Sequence, residues 1–519
     1  MLIELVMRVL SIVLLTFLAL TLQAQEIREI VTDSHHTKEL SRYYNFCIGA
    51  GRANEGLRSE WQKQLTEVKK ECGFRYIRFH GLLHEDMGVY KEKNGKPLYN
   101  FHYIDALYDF LLSIDVKPFV ELSFMPEDLK SGNETVFWWK GNKTPPADKE
   151  KYASLIFEVV KHFVGRYGLD EVKQWYFEIW NEPNHKGFFT GTKDDYFEMY
   201  NIAANSVKKV SYELKVGGPA TAGNAWIDDF IDYCDKNNVP LDFISTHTYG
   251  VKGFFDEFGV KKLRLNPDGN CMVMDVSRVR KQIHDSGKDG MELHYTEFNT
   301  SFSSHDLIHD TYQNATYILN TIRQSHENVT SMSYWTFTDI FEEGGPVRDA
   351  LHGGFGLLNW HGIRKPTFYA YSFLNKLYTK ELSNLDKSSW VTKDEKGNYA
   401  ALIYDFTMPQ YSNKDSNNSF FIKQQPDESK GKIKFQINGI EKGNYILYLY
   451  KVGYMNGDIN SVYIDMGRPS QLSISQEEAL SEISNIKPEV SVIELTKETF
   501  NIELDWRSNM MYFIKLLRQ

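Results

Sequence analysis

Between residues 44 and about 380, short apolar runs alternate with amphipathic segments of helical period. The strand-like runs are FCIGAG (46–51), FRYIRFH (74–80), KPFVELSF (117–124), WYFEIW (175–180), LKVGGPA (214–220), LDFISTHTY (241–249), MELHYTEF (291–298) and SMSYWTF (331–337). Helical patterns fall near 57–71, 101–114, 147–166, 194–213, 224–237, 274–286, 306–325 and 366–379. Eight β/α pairs in one stretch predict a (β/α)8 TIM barrel over 44–380. A doubly wound sheet is the alternative, but no glycine-rich phosphate fingerprint follows the first run.

From about residue 381 the texture changes to short alternating runs separated by Asn/Gly/Asp/Ser turns. WVTK, YAALIYDF, KIKFQI, NYILYLYKV, SVYIDM, VSVIEL, FNIELD and MYFIKLL predict an antiparallel β-sandwich over 381–519. The polar stretch 409–431 reads as a long exposed loop. The segment 25–43 contains EIREIVTD (26–33), which alternates and is expected to add a strand to the sandwich. No linker-like sequence separates the two domains, so tight packing is expected.

At the N-terminus, Arg8 precedes an apolar run at 9–22, and small Ala24 follows. This reads as a signal peptide over 1–24, removed after Ala24. An uncleaved anchor is the alternative, but the run falls short of the ~20 residues that span a bilayer. The expected location is therefore secreted or periplasmic, with no membrane association after cleavage.

Net charge is −10, which argues against nucleic acid as a partner. Four cysteines, at 47, 72, 234 and 271, form no CxxC pair, so neither a zinc site nor a disulfide scaffold is indicated. Aromatic content is high at 14%; core packing and flat platforms for sugar rings both account for it. A homo-oligomer is left open.

In a barrel of this kind chemistry sits at the C-terminal strand ends. Those ends carry Arg78 and His80 (strand 2), Asn181 and Glu182 (strand 4), His247 and Tyr249 (strand 6), Glu297 and Asn299 (strand 7) and Trp335 (strand 8). Asp339, Glu342 and Glu343 follow strand 8. HExxH, DxD and GxSxG patterns are absent, so no metal is expected. What remains is a carboxyl pair, Glu182 and Glu297, of the kind glycoside hydrolysis uses. Alternation along strand 4 places Tyr176, Glu178, Trp180 and Glu182 on one face and Trp175, Phe177 and Ile179 on the other. Glu178 is then an acid inside the barrel that needs a partner. Arg78 is the expected one, which makes Glu178 structural, with a catalytic role as the alternative. His80 and His247 read equally as a turn residue and a core histidine. Trp335 reads as core or as a sugar platform, and Glu342 and Glu343 as site or solvated acids.

FEIWNEPN (177–184) with YTEFNTS (295–301) resembles the retaining glycosidases that carry both glutamates on strands 4 and 7. RFHG (78–81), STHTYG (245–250) and YWTFTDIFEE (334–343) narrow the resemblance to glycoside hydrolase family 39. CIGAGRAN (47–54) and HGGFGLL (352–358) fit as well. The resemblance implies Glu182 as general acid/base, Glu297 as nucleophile and no cofactor. It implies that Asn181 bonds the sugar 2-hydroxyl and that His247 and Tyr249 orient Glu297 or the substrate. Trp335 would be the floor, Phe188 an edge, and Glu342 and Glu343 contacts to sugar hydroxyls. The implied substrate is an oligosaccharide. β-Xylosidase action at the non-reducing end is expected first, because the acidic loop after strand 8 disfavours an anionic sugar, although Arg348 and Lys365 lie further on. The alternatives are α-L-iduronidase-like or other β-glycosidase activity (arabinopyranosidase, glucosidase, galactosidase) and a non-catalytic carbohydrate-binding protein.

Overall fold

A computed structural model describes residues 26–519; the leader expected at 1–24 lies outside them. Eight parallel strands close into a barrel in sequence order: Cys47–Arg52, Tyr76–His80, Lys117–Leu122, Tyr176–Ile179, Lys215–Thr221, Phe243–Tyr249, Glu292–Asn299 and Ser331–Tyr334. A helix follows each strand, from Ser59–Cys72 to Pro366–Asn375. The outward strand residues meet these helices; Phe177, for example, packs with Phe163.

Inward residues stack in layers, as barrels of this size require. The lowest layer is aromatic, with Phe46, Phe119, Tyr176 and Phe243 buried together. Above it lies a charged layer: Glu121 pairs in register with Glu178, and Arg78 with Gly49. The top layer is the site. Gly49 is required by a close approach: a Cβ there would lie 2.4 Å from the Trp335 indole, which crosses the barrel at that height.

The C-terminal region forms two sheets, of seven and three strands. One pairing departs from the antiparallel expectation, because Glu26–Asp33 joins Ser429–Asn438 in parallel. The strand Tyr399–Tyr404 is buried on both faces. Tyr399, Ala401 and Ile403 fill the sandwich core, while Ala400, Leu402 and Tyr404 join the barrel's hydrophobic cluster. Phe513 stacks on Phe373 of the last barrel helix at 4.9 Å. The seven-stranded sheet therefore has no free face at the barrel, and the domains share a core.

Two expectations fail here. SVYIDM (461–466) is not a strand; Ile459–Asp465 is a helix, capped by Asp458, which accepts from Ser461 N. Its apolar residues Ile459 and Tyr463 are four apart and bury against Leu351 and Leu480, a spacing that a short alternating run also satisfies. The stretch 409–431 is not simply an exposed loop. It holds the helix Asn417–Phe421, with Phe421 buried. The Asn417 side chain accepts from Leu265 N at 3.0 Å and donates to Asp306 at 2.8 Å. The polar residues that suggest solvation are here cross-links to barrel loops.

Candidate active site

The fourth strand ends at Ile179, and the alternation ends with it. Trp180 and Glu182 take left-handed backbone conformations, φ 72° and 45°, which non-glycine residues adopt at a cost of order 1–3 kcal/mol. The Trp180 ring leaves the barrel interior, packs on Phe124 and Phe189, and donates to Phe188 O at 3.0 Å. Asn181 and Glu182 both reach the site as a result. Glu182 is thus inward as expected, but a twisted turn places it there rather than strand parity.

Arg78 is the hub of the charged layer. It donates to Glu178 Oε2 at 2.6 Å and to Glu297 Oε1 at 2.7 Å. It also pairs with Glu121 Oε2 at 2.8 Å and donates to Asn181 Oδ1 at 3.0 Å. The expected Arg78–Glu178 pair is one arm of this cluster. All three ion-paired groups at its base are fully buried, and such an arrangement holds only when every charge is matched.

Glu297 accepts from Arg78 on one oxygen and from Tyr249 on the other, at 2.7 Å. Glu182 Oε1 lies 2.9 Å from His247 Nδ1. One atom each of Glu182, His247 and Glu297 fall within 4.8 Å of one another. Burial raises Glu182 from the ordinary 4.5 to about 7, against the pull of His185, His80 and Arg78. Burial pushes Glu343 up to about 7 also, against its hydrogen bond to His80. His80 goes the other way. Burial opposes its charge, but Glu121, 2.7 Å from Nδ1, raises it to about 10. The carboxyl beside His247 is Glu182, itself raised, and burial lowers His247 to about 4 despite nearby Glu297. Of these two imidazoles, His80 is held cationic and His247 neutral.

A cavity of about 510 Å³ opens over these groups. Of the expected residues, His80, Asn181, Glu182, Phe188, Tyr249, Glu297, Trp335 and Glu343 line it. His247, Arg78 and Glu178 lie beneath, fully buried. Glu342 does not reach the cavity: Arg58 holds both its oxygens at 2.7 and 2.8 Å, and Arg52 donates at 3.2 Å. Adjacent loop residues point apart, and Glu55 fixes the turn by accepting from Glu342 N at 2.9 Å. Lys365 is buried between Asp310 and Asp339, at 2.6 and 2.7 Å, and the Arg348 side chain is exposed.

Sequence reasoning missed Glu121, Asp275, His185, Phe302 and Phe355. Glu121 had a signal, as an acid inside the apolar run KPFVELSF. Phe355 lies in the quoted HGGFGLL segment. Asp275 and Phe302 carried none, since only the fold brings a helix face and a loop to the cavity rim.

A sequence profile described as glycosyl hydrolases family 39 matches residues 28–498. A beta-xylosidase of Caldicellulosiruptor saccharolyticus is 39% identical over 462 residues, 87% of this chain and 90% of that protein. A beta-xylosidase of Geobacillus stearothermophilus is 42% identical over 385 residues, 72% of this chain and 76% of that protein. The crystal structure of a monomeric beta-xylosidase from Caulobacter crescentus CB15 matches with a TM-score of 0.92 at 39% identity, covering 95% of this chain and 99% of that one. Fold, carboxyl pair and sequence agree over nearly the whole chain: the protein is a glycoside hydrolase and belongs to glycosyl hydrolase family 39.

Proposed function

We propose that this protein is a retaining β-xylosidase that releases xylose from the non-reducing end of xylo-oligosaccharides. The observation that carries the mechanism is the close approach of the two carboxyls. Glu182 and Glu297 offer oxygens within 4.8 Å of each other. Retaining enzymes hold them about 5–5.5 Å apart, and inverting enzymes about 6.5–9.5 Å to admit a water.

In the first step a Glu297 oxygen attacks the anomeric carbon and the glycosidic C–O bond breaks. Glu182 gives its proton to the leaving oxygen. In the second step Glu182, now a carboxylate, takes a proton from water; the water oxygen attacks the anomeric carbon, and Glu297 leaves. A pKa of about 7 suits Glu182 to both duties. Asn181, whose oxygen is engaged by Arg78, has its amide N–H groups left for a sugar hydroxyl. Trp335 supplies an apolar floor.

The sugar is read as neutral. Among the described residues no lysine or arginine lines the cavity, while Glu182, Asp275, Glu297 and Glu343 do. The cations that follow strand 8 in the sequence, Arg348 and Lys365, are exposed or already paired. The names of the two curated relatives favour xylose.

A panel of aryl xyloside, arabinopyranoside, glucoside, galactoside and iduronide tests the substrate. Xyloside should be hydrolysed fastest; a faster iduronide would overturn the reading. A 2-deoxy-2-fluoro xyloside with a good leaving group should trap one covalent adduct on Glu297. Export is proposed from residues 1–24 and is tested by N-terminal sequencing of the secreted protein, which should begin at Gln25.

A further inference from the structure

Thr296 lies on the seventh barrel strand, directly before Glu297, and is fully buried. Its hydroxyl has two polar neighbours. It donates to Glu178 Oε1 at 2.8 Å, and His247 Nε2 stands 3.2 Å away. A hydroxyl has a single proton to give. Glu178 is the nearer neighbour and is ion-paired with Arg78 at 2.6 Å; hydrogen bonds to a charged acceptor are about twice as strong as neutral ones. The Thr296 proton therefore goes to Glu178, and its oxygen is left as an acceptor. His247 must donate to it from Nε2.

A neutral imidazole carries one ring proton. With that proton on Nε2, Nδ1 is a bare lone pair. It faces Glu182 Oε1 at 2.9 Å and Glu297 Oε2 at 3.6 Å. A bare nitrogen beside two carboxyl oxygens is satisfied only if one of them brings a proton. Both Glu297 oxygens already accept, from Arg78 and Tyr249. Glu182 is the remaining donor.

We propose that Thr296 is a positioning residue: by donating to Glu178 it fixes the Nε2–H tautomer of His247, and the bare Nδ1 holds Glu182 in its protonated, acid form. The inference rests on the reading of Glu182 as the general acid. The chain Glu178–Thr296–His247–Glu182 thus links a buried ion pair to the proton that the reaction consumes. The other charged or titratable groups around Glu182 and His247 are Arg78 and His80 from the second strand, Glu121 from the third, His185 beyond the fourth, Asp275 from the helix after the sixth, Glu297 from the seventh, and Glu343 and Tyr249 at the rim. Of all these groups only Glu178 takes the Thr296 proton.

Two variants and one spectroscopic measurement test this. In Thr296→Val the Nε2 partner is gone. The ring should move its proton to Nδ1, donate to the Glu182 carboxylate and favour its ionised form. The alkaline limb of kcat/KM should then shift by about one pH unit to lower pH, and kcat/KM at pH 7 for a poor leaving group should fall about fivefold. Thr296→Ser keeps the hydroxyl and should keep the wild-type limb. A purely structural threonine would change the melting temperature and leave the limb in place, and that outcome overturns the proposal. Independently of turnover, 15N imidazole spectra of the wild-type protein should show His247 as the Nε2–H tautomer, with its signals assigned by their loss in His247→Gln. An Nδ1–H tautomer overturns the proposal even if the valine variant does not fold. If no glycoside is hydrolysed, the proposed function fails while the tautomer still reports on Thr296.

Discussion

Arg78 donates through Nη1 to Glu297 Oε1 at 2.7 Å, and both side chains are buried. The same guanidinium holds Glu121 and Glu178. Removing it would strand three buried carboxyls around an apolar gap. Arg78→Met should therefore cost about 3–5 kcal/mol or more, read as a large fall in the midpoint of denaturant unfolding. Arg78→Lys should rescue little, because a single ammonium cannot reproduce the fork that serves four acceptors.

Glu182 ties activity and stability to pH with the same sign, since both fall as pH rises through its titration. Its carboxyl is raised from 4.5 to about 7 by burial, so the proton needed for leaving-group departure is lost as pH climbs through about 7. kcat/KM should fall on that side. Glu182→Gln should lower kcat about 10²–10⁴-fold for poor leaving groups, and much less for activated aryl leaving groups that need no proton. For stability, a raised acid is neutral in both states below 4.5 and carries no cost there. Between 4.5 and 7 the unfolded chain ionises first, and the native state loses roughly 3 kcal/mol. Thermal melts should show Glu182→Gln matching wild type at pH 4 and exceeding it at pH 8.

Glu342 and Glu343 should separate cleanly. Glu343 lines the cavity 3.5 Å from His80, so Glu343→Gln should raise KM several-fold, in line with about 1 kcal/mol for a hydrogen bond, with little change in melting at pH 4, where the acid is neutral in both states. Glu342 serves Arg52 and Arg58. Glu342→Gln should lower stability by about 1–3 kcal/mol while moving KM less. Equal KM effects from the two variants would contradict the geometry.

The sandwich and barrel should not separate. Phe373 and Tyr369 on the last barrel helix are buried, and Phe513 covers Phe373. Arg323 pairs with Glu381 across the junction at 2.6 Å. A chain stopped at residue 380 should be insoluble or bind a hydrophobic dye, and full-length protein should unfold in one transition by calorimetry.

The sequence alone settled what depends on local period and residue type. Apolar alternation and helical spacing marked eight strand–helix units, and their number implied a closed barrel. Strand-end polar residues then marked Glu182 and Glu297, because a barrel collects chemistry at that rim. The acid inside strand 4 demanded a buried cation, and Arg78 was the partner expected. Tertiary structure decided what depends on direction and neighbours. The left-handed turn at Trp180 delivers Asn181 and Glu182 together, which no alternation rule foretells. A loop backbone pinned by Glu55 sends Glu343 inward and Glu342 away, although the two are chemically identical. Glu121 joins the site because its strand lies beside the second and fourth, and the helix Ile459–Asp465 forms because a barrel-loop cluster is there to bury it. The physical reason is common to all: a side chain's role is set by which way its backbone aims it and by what charge meets it there. Those are properties of contacts between segments far apart in the chain.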